Sequence, residues 1–130
     1  MKTPSKADII QLKLGRAAKT LREARSMLDN NFPDAAINRM YYACFYAVSA
    51  LLFEKNISAK THSGVKQKLG QIFINSGLLS KENGEFYGNL FRVRQYADYN
   101  DFAEVDPVMA KEYFVLAVNF VASVQNIIEL

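Results

Sequence analysis

Arg94 lies in the segment Phe91-Arg92-Val93-Arg94-Gln95-Tyr96-Ala97-Asp98-Tyr99-Asn100-Asp101, where a permanently charged guanidinium is followed by carboxylates at helical spacing. At 100° per residue Arg94, Asp98 and Asp101 share one helix face, with Tyr87 and Phe91 leading into it and Phe86, Leu90, Val93 and Ala97 forming the apolar stripe beside it. An arginine at the edge of a core is costly to bury, so it is either a paired structural ion or a prepared anion site. The chemistry within its reach is that of phosphate, because a guanidinium grips two oxygens at once. Gln95 adds an amide, and Asp98, Tyr99 and Asp101 are the groups from which catalysis at such a site would draw.

Two further clusters bear on the same chemistry. Arg39, Tyr42 and Tyr46 are neighbours at helical spacing and could form a stacking ledge for a base, although aromatics so spaced more often serve a core or an interface. His62, in Lys60-Thr61-His62-Ser63-Gly64, opens a helix, where the positive helix end disfavours its protonation and a local hydrogen bond to the turn is the commoner role. Cys44, flanked by Ala43 and Phe45, reads as a small buried hydrophobe rather than a reactive thiol.

Other reaction classes find no support in the sequence. The glycines are scattered at 15, 64, 70, 77, 84 and 88, outside the strand-turn-helix setting of a phosphate loop. With one histidine and one cysteine, a His or Cys metal cluster is out of reach, and the paired Glu-x-x-His repeats of a di-iron bundle are missing. No metal and no cofactor are expected.

These side chains must be positioned by helices. Ser5-Lys6-Ala7-Asp8 reads as a capping box, and Ile10, Leu14, Ala17, Leu21, Ala24 and Leu28 follow as one stripe ending near Asn30-Asn31. Pro33 starts a second helix, apolar around most of its circumference through Met40, Tyr41, Cys44, Val48 and Leu51, and this should be the central one. Thr61 or Ser63 caps a short third helix that Ser76-Gly77 stops. Ser80 caps the fourth, which carries Arg94, and Asp106-Pro107 opens a fifth running through Ala110, Phe114, Ala117, Val121 and Val124. The expected fold is all-α, an antiparallel bundle of four to five helices forming a single domain over residues 1–130.

Half of the 130 residues are hydrophobic, enough for one core. No apolar run reaches 18 residues and the first residues lead into an amphipathic helix, so the expectation is a cytoplasmic protein with no membrane partner. The net charge of +3 is unevenly spread: residues 1–25 carry seven Lys or Arg against two acidic residues, which leaves the remainder at −2. A basic first helix suits RNA or an acidic partner, and equally a solvated outer face.

Taken in order, Arg39-Met40-Tyr41-Tyr42-Ala43-Cys44-Phe45-Tyr46-Ala47, then Lys60-Thr61-His62-Ser63-Gly64-Val65, then Arg94-Gln95-Tyr96-Ala97-Asp98-Tyr99 resemble the HEPN domain family. The likeness spans about residues 8 to 128 and is greatest to the small stand-alone branch paired with minimal nucleotidyltransferases. The resemblance implies a helical homodimer with a cleft where the two copies of the fourth helix meet. In ribonuclease members an Arg, a polar residue and, four to six residues on, a His occupy that cleft and cleave RNA without metal.

Arg94 and Gln95 match the first two motif positions, whereas Tyr99, Asn100 and Asp101 stand where the histidine would be. A phenol of ordinary pKa, about 10, is a poor base, and a carboxylate beside a guanidinium is a poor one too. What carries over is the anion-binding half, so Arg94, Gln95, Arg39 and Tyr42 are expected to hold RNA or nucleotide phosphate without robust hydrolysis. The alternatives are a ribonuclease toxin with a rewired acid-base pair, drawing on Arg94, Asp98, Tyr99 or Asp101, and a purely structural dimer. In related paired systems a nucleotidyltransferase modifies a tyrosine two residues after the histidine. That position is Asp101 here, so Tyr99 or Tyr96 becomes the candidate phenol, unless Tyr99 simply anchors the helix end by a hydrogen bond.

Overall fold

The structure is a computed structural model and describes residues 3–129; Lys2, counted above among the basic residues, lies outside them. Five α-helices follow one another: α1 (Lys6–Asp29), α2 (Pro33–Glu54), α3 (His62–Lys68), α4 (Lys81–Tyr99) and α5 (Pro107–Ile127). No strand occurs among the described residues.

Local chemistry sets most of the boundaries. Ser5 Oγ accepts from the Asp8 N–H at 3.1 Å while the Asp8 carboxylate accepts from the Ser5 N–H at 3.0 Å, closing the capping box of α1. Asn31 at φ 64° turns the chain into Pro33, whose fixed φ and missing N–H suit the first helical position. Thr61, Ser80 and Asp106 cap α3, α4 and α5 by accepting from the N–H groups of Gly64, Asn83 and Val108.

One element departs from the expected pattern. After α3 the chain continues as a π-helical turn, Leu69–Ile74, with the Asn75 N–H reaching back five residues to the Gly70 carbonyl at 3.0 Å. The wider turn keeps both Leu69 and Phe73 in the core. Gly77, at φ 81°, then reverses the chain in a conformation that a side chain would strain.

α2 is the hub, packing on α1, α4 and α5 and burying Ile37, Met40, Tyr41, Cys44, Val48 and Leu51 completely. Ties at the helix ends give the directions. Lys6 Nζ donates to Asn56 Oδ1 at 2.9 Å and Asn38 Nδ2 to Asp98 at 3.2 Å, so α1 and α4 both run opposite to α2. The Glu129 N–H meets Glu54 Oε1 at 3.0 Å, so α5 ends beside the end of α2. α5 is long and apolar enough to cross a membrane by length and composition, yet Ala110, Ala117, Phe120, Val121 and Val124 are buried against the bundle as in a core helix. Burial pushes the Cys44 thiol pKa far up, in keeping with an inert core residue.

Candidate functional site

α4 carries Arg94 into the interior because Leu90 and Phe91, one turn earlier, seat the helix against α2. The side chain is 5% exposed. Its guanidinium carbon lies 4.4 Å from the centroid of the Tyr41 ring, 5.8 Å from that of Phe91 and 5.9 Å from that of Tyr42. Three aromatic faces thus receive a charge that would otherwise be costly to desolvate.

Its ion pair is a loose one. Arg94 Nη1 stands 3.5 Å from Asp98 Oδ2, whereas Asn38 Nδ2 approaches the same carboxylate to 3.2 Å. Asn38 Oδ1 in turn accepts from Arg39 at 2.9 and 3.2 Å, and Arg39 lies 3.7 Å from Glu23 with its guanidinium 5.3 Å over the Tyr42 ring. A polar chain therefore runs Glu23, Arg39, Asn38, Asp98, Arg94 across three helices. Arg94 Nε has no hydrogen-bond partner although it is buried. A native structure rarely leaves such a donor empty without a reason.

His62 joins this centre from helix three. Its Nδ1 is 2.8 Å from the Tyr41 hydroxyl, and its ring rests on Phe45 with centroids 4.6 Å apart. Burial first, and the Arg94 charge second, hold the imidazole pKa below the usual histidine value, so the neutral ring is favoured. Burial likewise raises the Tyr41 phenol, which stays protonated. Among the described residues the Tyr87 hydroxyl is also buried without a partner, and it belongs to the same cluster, with ring centroids of Tyr41 and Tyr87 6.0 Å apart. Chemically, the cluster combines a desolvated guanidinium with unused donor capacity and a neutral imidazole hydrogen-bonded to a phenol that can either donate or accept.

The structure brings together Arg94, Asp98, Arg39 and Tyr42, two pairs that spacing suggests within α4 and α2 and that helix packing joins, and it disperses the rest. Gln95 is exposed. Asp101 does not share the Arg94 face, because α4 ends at Tyr99 and Asn100 turns extended at ψ 114°. Tyr99 is 79% exposed, which removes the expectation that it anchors the helix end, and Tyr96 is 48% exposed. Tyr87 and Phe91 do not continue an outward face suited to a dimer contact, since both are buried within the one chain. Two contributors escaped the sequence reading. Tyr41 reads only as a core residue, and His62 reads as a local turn ligand although it bonds across to α2.

Comparison with known proteins places the chain in a family. The HEPN domain model matches residues 10–128. A UPF0332 protein of Thermotoga maritima is 36% identical over 124 residues, covering 95% of this chain and 94% of its own length. Two Methanocaldococcus jannaschii proteins, named "Putative toxin MJ0142" and "Putative toxin MJ0605", are 37% and 33% identical over 90 residues, covering 69% of this chain and 61% and 67% of their own lengths. By the extent of the domain match and the near full-length relative, the chain belongs to the HEPN domain family.

Proposed function

We propose that the chain is the HEPN subunit of a two-component, toxin-antitoxin-like system. In this reading it works in the cytoplasm beside a minimal nucleotidyltransferase, and two copies form a cleft in which Arg94 holds an RNA or nucleotide phosphate. The observation that carries the phosphate reading is Arg94 itself, which is buried, loosely paired and left with a free Nε donor. A structural ion pair would close those contacts. A phosphate oxygen would complete them.

The toxin names borne by two relatives support the system-level reading. The homodimer finds support in the exposed aromatics Tyr96, Tyr99 and Phe102 at the end of α4, next to the Arg94 centre. Co-purification with the product of the neighbouring gene, with intact mass of both chains and sedimentation of the HEPN subunit alone, tests partner and stoichiometry together. A stable monomer at micromolar concentration would remove the shared cleft. Wild type and Arg94→Lys titrated with RNA and nucleotides test the site; equal affinities would remove Arg94 as the anion group.

The position of His62 favours a second reading, a ribonuclease with a rewired acid-base pair. In this reading the imidazole missing from the end of α4 is supplied instead by His62 of α3, which is bonded to the Tyr41 whose ring carries the Arg94 guanidinium. With Nδ1–H donating to Tyr41, Nε2 is free to take a proton from a ribose 2′-hydroxyl. Loss of cleavage in His62→Gln with RNA binding retained would support it, and a wild type that yields no 2′,3′-cyclic phosphate product would exclude it.

A further inference from the structure

Helix three, its π-helical continuation and α4 enclose a groove of about 560 Å³ that none of the chemistry above uses. Lys66, Lys81 and Arg92 converge on it against one carboxylate, Glu85. An adjoining hollow of about 430 Å³ shares Lys66 and Gly70 and is walled by the amides of Gln67, Gln71 and Asn75. Both lie open along one side of the bundle.

The glycines of this groove are its most telling feature. Gly84 has a packing reason, since a Cβ there would stand 3.1–3.4 Å from Ile74. Gly70 and Gly88 have none: each lies inside a helix, neither takes a positive φ, and a Cβ at Gly70 would meet nothing within 4 Å. At Gly88 a Cβ would sit 3.6 Å from Lys66 Cε and 3.7 Å from Arg92 Nη1, in ordinary contact with the stem of one cation and the guanidinium of the other. Helix-interior glycine is less stable than alanine, and Gly15 in α1 shares this lack of a packing reason away from the groove, so it is the coincidence of Gly70 and Gly88 with Lys66, Lys81 and Arg92 that points to something approaching the backbone closely. The π-helical turn, a distortion frequent at functional sites, places Gly70 there.

We propose that this groove binds single-stranded RNA, with backbone phosphates on Lys66, Lys81 and Arg92 and the strand lying over Gly70 and Gly88. The cations supply the sequence-independent attraction, and the amides of Gln67, Gln71 and Asn75 offer both donors and acceptors to base edges, while the Asn89 carbonyl already accepts from Arg92. An acidic peptide could meet the same cations and, through its backbone, the same amides, so it is the competing occupant that the test must exclude. The two hollows have the volume of nucleotide-scale sites. The groove leads toward the Arg94 centre through Phe91, whose ring has Lys66 Nζ at 5.2 Å and the Arg94 guanidinium at 5.8 Å. Only that end point rests on the Arg94 reading.

The test titrates a fluorescein-labelled oligouridylate, uridine monophosphate and oligo-aspartate against wild type, Gly70→Ala, Gly88→Ala, Lys66→Gln, Arg92→Gln and Arg94→Lys, with melting curves for each. The alanine variants are expected to melt at or above the wild-type temperature, yet to bind the oligonucleotide about tenfold more weakly or worse. A purely structural role for the glycines gives the opposite sign in the melt. Lys66→Gln and Arg92→Gln should each flatten the salt dependence of oligonucleotide binding by about one phosphate contact. If an alanine variant misfolds, those two slopes decide. Oligonucleotide binding that survives Arg94→Lys but falls in the groove variants upholds the groove while defeating the Arg94 reading. Wild-type affinity in all four groove variants overturns the proposal, as does oligo-aspartate binding with the same strength and the same dependence.

Discussion

Replacing Arg94 with alanine tests the site most directly, and its burial changes what that substitution should do. From spacing alone the arginine looks removable with little effect on folding. At 5% exposure it is not. Truncation to Cβ removes two buried methylenes, about 0.8 kcal/mol each. It also removes a desolvated cation over the Tyr41 ring, about 2 kcal/mol. The Asp98 pair, long at 3.5 Å and with 28% of the carboxylate side chain exposed, contributes only about 0–1 kcal/mol. Against these losses stands the relief of a buried charge whose Nε is unpaired, about 1–3 kcal/mol. A net destabilisation of about 1–3 kcal/mol follows, close to the 1.5–3 kcal/mol that a lost charge-assisted phosphate contact would cost in binding.

Alanine therefore separates the two roles poorly, and a cycle is needed. Arg94→Ala, Asp98→Asn and the double variant, unfolded in urea and followed by circular dichroism, isolate the pair. Arg94→Lys keeps stem and charge while losing the fork. The anion-site reasoning expects a coupling with Asp98 below about 1 kcal/mol, and a binding loss in Arg94→Lys of about tenfold or more with little change in melting. A coupling above about 2 kcal/mol, with RNA binding intact in Arg94→Lys, would refute it and leave a structural ion pair.

Three further outcomes are expected. The folded His62 holds a proton less readily than its unfolded counterpart, so in the window below the ordinary value of about 6.5 the unfolded chain binds more protons; stability should fall as pH drops through that window and level off beneath the folded value. Urea titrations across this range should show that step, and its persistence in His62→Gln would assign it elsewhere, since this is the sole histidine. Incubation with the cognate nucleotidyltransferase and ATP should place any nucleotide on Tyr99 or, failing that, Tyr96, both of them exposed phenols; peptide mass mapping without an adduct on either ends that idea. Gly77→Ala should cost about 1 kcal/mol, because φ 81° is disfavoured for a residue with a Cβ even where there is room for it; an unchanged melting temperature would show that the turn relaxes.

What could be read in advance was what local chemistry decides. Ser5, Thr61, Ser80 and Asp106 mark helix starts because each accepts from an N–H within three residues of itself, and Pro33 because its own φ is fixed and its N–H is missing. The Arg94–Asp98 pair was visible for the same reason, being one helical turn apart. The His62–Tyr41 bond was not, since it joins residues 21 apart on separate helices and depends on how those helices dock. Tyr41 was recognisable as core from its stripe, but periodicity is silent on where a buried hydroxyl points. Asp101 misled because a wheel projection assumes that the helix continues, and no strong stop signal separates Tyr99 from Asp101. The π-helical turn satisfies a tertiary demand of Leu69 and Phe73 rather than any local preference.

That wide turn also makes the chain unequal in what lengths it can tolerate. A π-helical turn carries one residue more than an α-helical turn would. Deleting a single residue between Leu69 and Ile74 would let the backbone relax to ordinary α-helix with its hydrogen bonds complete, and the side chains beyond the cut would keep their direction about the axis, because the wide turn already absorbs one residue. Within α2 the same loss has no spare residue to remove and would swing every side chain beyond the cut by about 100° about the axis. In the loop of residues 55–61 between α2 and α3 it disturbs no helical register. One-residue length variation in this protein should therefore be met in that loop or within 69 to 74, while α2 keeps its count.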